Sequence, residues 1–313
     1  MKTGNIAVID VGSNTIKLLV ATAGPNDTLV EIDQISDPTR IGSGIGDEIP
    51  SLSPASMEAG ITSIQRLLAK AATKSPSDIQ IVATGAVRDA RNGDDFAQLV
   101  LSTTGHPLSI LSGTKEASYI AAGILTDPDL NGHTDFLACD LGGGSLELIW
   151  VESRQTKGKT SLPLGAVRLT ERFVTDPREP ISASETIAMT KYVQDTLTEA
   201  KFPFPETPPS VIATGGAFVT ARTVLAEEEG INFADRSFLH ANELTKLLTE
   251  CAALPIAERL ARFPGLTSTR ADVMPAALAC IIALLQHVGV EVVRNSLRNL
   301  RYGIASELLG KSI

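Results

Sequence analysis

Apolar and polar positions along this chain alternate between short, nearly continuous hydrophobic runs and longer stretches with helical spacing, the pattern of an α/β protein. Residues 5–21 read as strand, glycine turn, strand, with a third strand around 29–35. Ser53 and Pro54 have the character of a helix cap and first helical position, and they open a helix to about residue 73. A buried strand at 79–83, helical residues broken at Asn92-Gly93, a strand at 108–111 and a helix at 114–124 follow. The opening pattern then restarts, with strands at 136–140 and 145–151. A strand near 159–162 leads through Leu164-Gly165 into a helix carrying Arg168, Glu171 and Arg172. A long helix at 183–200 is ended by KFPFPETPPS, which reads as a surface loop. A strand at 210–213, a helix opened by Gly215-Gly216 and a mostly helical remainder from about 242 complete the chain.

The restart defines two α/β units. Turn residues in TDPDLNGHTD place the boundary between Gly123 and Asp135, giving a first domain of residues 1–126 and a second of 127–299. The two restarts share more than their periodicity. Residues 6–20 are IAVIDVGSNTIKLLV and residues 136–151 are FLACDLGGGSLELIWV. Each is an apolar run ending in Asp, an apolar residue, glycine with small or hydroxyl residues, and a second apolar run. A glycine turn exposes backbone N–H groups that can cradle phosphate oxygens, and the neighbouring Asp can hold a hydrated divalent cation. Facing each other across a cleft, two such turns would grip a polyphosphate.

In the first turn, Asp10 is a candidate metal ligand, and Gly12, Ser13, Asn14, Thr15 and Lys17 are candidate phosphate groups. A plain hairpin favours Asp, Gly, Ser and Asn as well, so this turn alone is ambiguous. In the second, Gly142, Gly143, Gly144 and Ser145 are candidate phosphate groups. Three successive glycines weaken a hairpin entropically, so a closely approaching ligand is the better reason for them. Strand alternation puts Ser145 and Glu147 on one face, which makes Asp140 and Glu147 candidate ligands of one Mg²⁺ (or Mn²⁺). Gly215 and Gly216, at a strand-to-helix turn, offer a helix N-terminus to an anion. The G-x-x-x-x-G-K-[ST] spacing of a Walker loop is absent.

Bulk properties narrow the classes. At 313 residues the chain is long for one core and comfortable for two, and 43% hydrophobic with 20% charged residues is an ordinary soluble composition. A net charge of −9 argues against a nucleic-acid polymer as partner while leaving room for a locally positive polyanion site. Three cysteines without a pairing pattern suggest a reducing compartment, and Cys139 reads as a small core residue. A strand that begins almost at once leaves no room for a signal peptide, and the apolar part of residues 273–290 is too short to span a bilayer. The expectation is a cytoplasmic protein without a membrane partner, monomeric or a homodimer. The four histidines show no ligand spacing for zinc.

Together these residues resemble the exopolyphosphatase/guanosine-pentaphosphate phosphohydrolase family, within the actin, Hsp70 and sugar-kinase superfamily. ATGAVRDARN (83–92), LSGTKEASYIAAGIL (111–125), SLPLGAVRLTERF (161–173) and FPGLTSTRADVMPAA (263–277) look like that family's segments in its order, so the resemblance spans nearly the whole chain. It implies an α/β fold of two similar ribonuclease-H-like (actin-like ATPase) domains flanking a cleft, with the helix at 300–313 packing back on the first. It also implies that Glu116 is the catalytic carboxylate, a general base orienting water for in-line attack on a terminal phosphoryl group. Arg88 would bind phosphate bidentately, and Asn92, one helical turn on, could share its face. Arg168 and Arg270 are lesser candidates for substrate-chain or hinge contacts. The family commonly has Arg where this chain has Lys17, which replaces a fork with a point charge. Longer members continue past the position of Ile313 into helical domains that help bind long chains and support dimerisation, so a short two-domain form is expected, which puts processive action on long chains in doubt.

The implied activity is Mg²⁺-dependent release of orthophosphate from the end of inorganic polyphosphate, with guanosine pentaphosphate or a nucleoside triphosphate as alternative substrates. An ATP-dependent small-molecule kinase shares the fold, but no distinct segment for an acceptor is evident. A non-catalytic polyphosphate or alarmone sensor would have no need of Glu116.

Overall fold

The computed structural model describes residues 4–25, 28–205 and 210–310. The chain divides into two units, residues 1–132 with 298–313, and residues 133–297. The division falls after Gly132, within the turn-rich stretch between Gly123 and Asp135, and the buried Leu130 of the short turn Pro128–Leu130 goes with the first unit. At the far end Arg298 goes with the first unit, donating from Nη1 to the carbonyl of Thr126 and from Nη2 to that of Leu29.

In the first unit, β1 (Ile6–Val11) and β2 (Ile16–Ala23) form an antiparallel hairpin, and β3 (Leu29–Asp37) pairs with β2. A cap at Ser53, whose Oγ accepts from the N–H of Ser56, and a proline at the first turn start α1 (Pro54–Ala72). The strands β4 (Asp78–Ala83) and β5 (Leu108–Ile110) then add in parallel, giving the order β3-β2-β1-β4-β5. Between them lie α2 (Gly85–Asp89) and α3 (Gly93–Thr104), and α4 (Gly113–Ile124) follows, capped by Ser112. The central strand β1 is an almost unbroken apolar run because it is buried on both faces.

The second unit repeats this plan. The hairpin of β6 (Phe136–Leu141) and β7 (Leu146–Glu152) is extended by β8 (Gln155–Leu162). After α5 (Ala166–Phe173) and α6 (Ala183–Glu199), β9 (Val211–Thr214) pairs in parallel with β6. Next come α7 (Gly216–Glu229), β10 (Phe238–His240), α8 (Ala241–Ala252), α9 (Ile256–Arg262), α10 (Met274–Val288) and β11 (Val292–Asn295). Its sheet runs β10-β11-β9-β6-β7-β8, so β8-β7-β6-β9-β11 matches the five strands of the first unit in order and direction.

The stretch read as a surface loop is partly packed. Phe202 is buried and meets Phe204 edge-on, Phe204 meets His287, and Pro203 covers Gly158. Its residues 206–209 lie outside the described ones.

The last helix, α11 (Leu300–Leu308), crosses α4 and also touches β1 within the first unit. The crossing is close because both helices present glycine. A Cβ on Gly123 would lie 2.0 Å from the carbonyl oxygen of Asn299, and one on Gly303 would lie 2.0 Å from that of Tyr119. Arg301 on α11 is buried and donates to the carbonyl of Leu18, while the Tyr302 hydroxyl donates to Glu31.

Candidate active site

The two hairpins are built alike to the residue. Val11 pairs with Ile16 across the first and Leu141 with Leu146 across the second, so each turn holds four residues, 12–15 and 142–145.

In the second unit, the turn is fastened from behind by the start of α5. The carbonyl of Gly142 accepts from the N–H of Ala166 (3.0 Å), and that of Gly143 from Val167 and Arg168 (2.9 and 3.2 Å). The carbonyl of Gly144 accepts from Nε of Arg168 at 2.9 Å. In a trans peptide the carbonyl and the following N–H point in opposite directions, and no peptide among the described residues is cis. The N–H groups of Gly143, Gly144 and Ser145 are therefore aimed away from α5, as a run of successive donors of the kind that binds anions. Gly165 permits the approach, since a Cβ there would lie 2.2–2.4 Å from the backbone of Gly143 and Gly144.

In the first unit the same task falls to a loop. The carbonyl of Ser13 accepts from the N–H of Gly42 (2.8 Å) and that of Asn14 from the N–H of Arg40 (3.1 Å). Nε of Arg40 also donates to Oδ1 of Asn14 at 3.0 Å. The N–H groups of Asn14 and Thr15 are aimed away from this loop by the same argument. Arg40 has φ +48°, a left-handed conformation uncommon for a side-chain-bearing residue. Neither Arg40 nor Gly42 was singled out from the sequence. The readable signal was the glycine series Gly42, Gly44 and Gly46 just after an arginine.

The acidic residues differ between the units. Asp140 and Glu147 are direct cross-strand partners, so both carboxylates project from one face of the sheet. Both are buried, and Glu147 Oε1 accepts from the Ser161 hydroxyl at 2.6 Å. At the matching positions of the first unit Asp10 faces Lys17. Burial pushes the Asp10 carboxyl up from its ordinary value, opposed by the charges of Lys17 and Arg301. Oδ1 of Asp10 is buried without a hydrogen-bond partner among the described residues. Two facing carboxylates suit Mg²⁺, which binds through one or two carboxylates and keeps several waters. An Asp opposite an ammonium group suits it less. No group of three or more His, Cys, Asp or Glu side chains that could hold a metal forms among the described residues.

Gly215 and Gly216 pack tightly in the second unit. Gly215 has φ +103°, and a Cβ on it would lie 2.5 Å from Oδ1 of Asp140. A Cβ on Gly216 would lie 2.0–2.6 Å from the guanidinium of Arg270. These glycines thus seat Asp140 and Arg270, a structural reason for them beside the helix N-terminus they open.

Glu116 lies in the first turn of α4, almost fully buried, and Oε2 accepts from Nη1 of Arg88 at 2.5 Å. Arg88, expected to bind phosphate bidentately, lies at the end of α2 with its guanidinium on Glu116 and also on Asp89. Asn92 does not share its face. The helix α2 stops at Asp89, so helical spacing does not carry to Asn92, which instead ties a loop by bonding the N–H and carbonyl of Leu52, each at 2.9 Å.

A sequence model of the Ppx/GppA phosphatase family matches residues 22–312. The chain belongs to that family. It is 30% identical over 308 residues, 97% of its length, to the guanosine-5'-triphosphate,3'-diphosphate pyrophosphatase of Vibrio vulnificus (strain YJ016), and spans 59% of that relative. Among solved structures it is similar to an exopolyphosphatase-like protein (TM-score 0.88, 23% identity, 98% of each chain). It is also similar to an exopolyphosphatase from Cytophaga hutchinsonii ATCC 33406 (TM-score 0.83, 22% identity, 98% of this chain and 99% of that one). At these identities the structural likeness is one of fold. It agrees with the expected α/β class of two similar domains. No helix among the described residues is long and apolar enough to cross a membrane.

Proposed function

We propose that this chain is a Mg²⁺-dependent phosphoanhydride hydrolase that releases orthophosphate from the end of inorganic polyphosphate. The observation that carries the reading is Glu116, a buried carboxylate held by Arg88 at 2.5 Å in a chain that belongs to the Ppx/GppA phosphatase family. Phosphoryl transfer asks little covalent chemistry of a protein, so positioning and charge neutralisation suffice. Glu116 orients the attacking water and takes its proton. Arg88 fixes the rotamer of Glu116 and places a guanidinium beside the incoming phosphoryl oxygens. The N–H groups of the two turns, with Ser13, Asn14, Thr15, Lys17 and Ser145, bind the phosphates. Asp140 and Glu147, oriented by Gly215 and Ser161, would hold the cation. When bound, Mg²⁺ or Mn²⁺ neutralises charge on the phosphoryl oxygens.

Guanosine pentaphosphate is the second reading, favoured by the name of the Vibrio vulnificus relative. It presents a terminal anhydride to the same residues. Phosphate release from tripolyphosphate, long polyphosphate, guanosine pentaphosphate and ATP, measured side by side with and without Mg²⁺, separates the two. Fastest Mg²⁺-dependent release from a polyphosphate supports the first, and from guanosine pentaphosphate the second. ADP formation that depends on an added sugar or carboxylate acceptor would overturn both.

A further inference from the structure

The anchors behind the two turns correspond in position. Asn14 is the third residue of the first turn and Gly144 the third of the second. Each accepts a hydrogen bond from Nε of an arginine that comes from outside the hairpin: Arg40 on Asn14 Oδ1 at 3.0 Å, and Arg168 on the carbonyl of Gly144 at 2.9 Å. In each unit the same arginine also gives its backbone N–H to the turn, Arg40 to the carbonyl of Asn14 and Arg168 to that of Gly143. The two segments are otherwise unrelated, one an irregular loop after β3 and the other the first turn of α5. Two different backbones thus each bring an arginine Nε and N–H to the back of a turn, on the Asn14 side chain and carbonyl in one and on the Gly144 and Gly143 carbonyls in the other. We propose that Arg40 and Arg168 are a matched pair of positioning residues that hold the two turns with their N–H groups directed at substrate phosphate.

The inference rests on the phosphate-gripping role of the turns. It assigns the arginines an action through the turn rather than by charge on the substrate. A free four-residue turn can rotate its peptide planes, and each plane that turns over replaces a donor with a carbonyl facing the anion. Nε of Arg168 removes that freedom by fastening the Gly144 carbonyl directly; in the first turn the N–H groups of Gly42 and Arg40 fasten the carbonyls, and Nε of Arg40 ties the Asn14 side chain to the same loop. Arg40 accepts a left-handed φ of +48° while making these bonds. Gly42, whose Cβ would lie 2.7 Å from that of Ser13, lets the loop come close enough.

Gly42→Ala separates positioning from direct charge, because it shifts the Ser13 backbone without removing a cation. The experiment uses the whole chain and inorganic tripolyphosphate, with binding measured by calorimetry and turnover by phosphate release. Arg40→Ala, Arg168→Ala and Gly42→Ala are each expected to weaken tripolyphosphate binding about tenfold, the worth of one such hydrogen bond. KM should rise more than kcat falls, and Arg40→Lys and Arg168→Lys should recover part of the loss. Thermal melts identify any variant that fails to fold; for either arginine the lysine variant of that position is then read instead, and for Gly42→Ala the comparison of Arg40→Lys with Arg40→Ala takes its place, equal loss in both overturning direct charge. Wild-type binding by both arginine variants, in a protein whose wild type hydrolyses the substrate, would overturn the inference and leave the proposed function standing. Weak binding by Arg40→Ala with wild-type binding by Gly42→Ala would overturn positioning in favour of direct charge. A wild type that neither binds nor hydrolyses tripolyphosphate would sink the functional reading and this inference together.

Discussion

Gly215→Ala tests whether the seat of Asp140 matters for metal binding. The glycine has φ +103°, and an added Cβ would come 2.5 Å from both Oδ1 of Asp140 and the carbonyl oxygen of Leu141. That is about 1 Å inside an ordinary non-bonded contact. A side chain held at such a φ costs on the order of 1–3 kcal/mol, and overpacking adds a comparable amount. Because a carboxylate yields more readily than strand backbone, the Asp140 side chain should be displaced first. A net loss of about 3 kcal/mol lowers the melting temperature by roughly 6–12 °C. With Asp140 turned away from Glu147, half-saturation by Mg²⁺ in phosphate release from tripolyphosphate should rise at least about tenfold. The rise in melting temperature that Mg²⁺ gives the wild type should shrink in parallel. A destabilised variant with a wild-type Mg²⁺ titration in both assays would refute Asp140 as a metal carboxylate. An undisturbed melting temperature would refute the packing argument itself.

Ser161→Ala removes the hydroxyl that orients Glu147 and should raise the Mg²⁺ requirement by about tenfold without altering the fold, checked by titration and circular dichroism. Arg88→Ala leaves Glu116 buried without its ion-pair partner; a stability loss of about 3 kcal/mol in urea unfolding and loss of most turnover are expected. Glu185 completes a capping box on α6 and accepts from the N–H groups of Thr175 and Ser182, which holds its carboxyl down at about 2. Since its folded value is depressed, Glu185 contributes stability above the ordinary glutamate range, and that contribution fades as pH falls from about 4.5 to about 2. Glu185→Gln should therefore cost about 1 kcal/mol at pH 7 and almost nothing at pH 2, read from urea midpoints.

The two strand-turn-strand starts were legible because a buried central strand followed by a glycine turn writes an unmistakable apolar run. The equal turn lengths and the Asp140–Glu147 pairing follow from the same alternation. The short strands β10 and β11 were not read, since three or four residues leave no periodicity to detect. Helical spacing does not reach Asn92 because α2 ends at Asp89 and Ala90 is already extended, a stop for which the sequence carries no glycine or proline signal at that point. Arg88 and Glu116 were each read from family likeness, and no spacing rule joins residues 28 positions apart. The role of Arg40 is not legible in the sequence, because it sits in an irregular loop without a period and acts on the back of a turn 26 residues earlier.

The central claim is that Glu116 activates water for attack on a terminal phosphoanhydride. It is tested most directly by phosphate release from tripolyphosphate in Mg²⁺, wild type against Glu116→Gln, with tripolyphosphate binding measured on both. The account predicts a fall in kcat of about 10²–10⁴-fold with binding largely retained. Turnover by Glu116→Gln at the wild-type rate would contradict it.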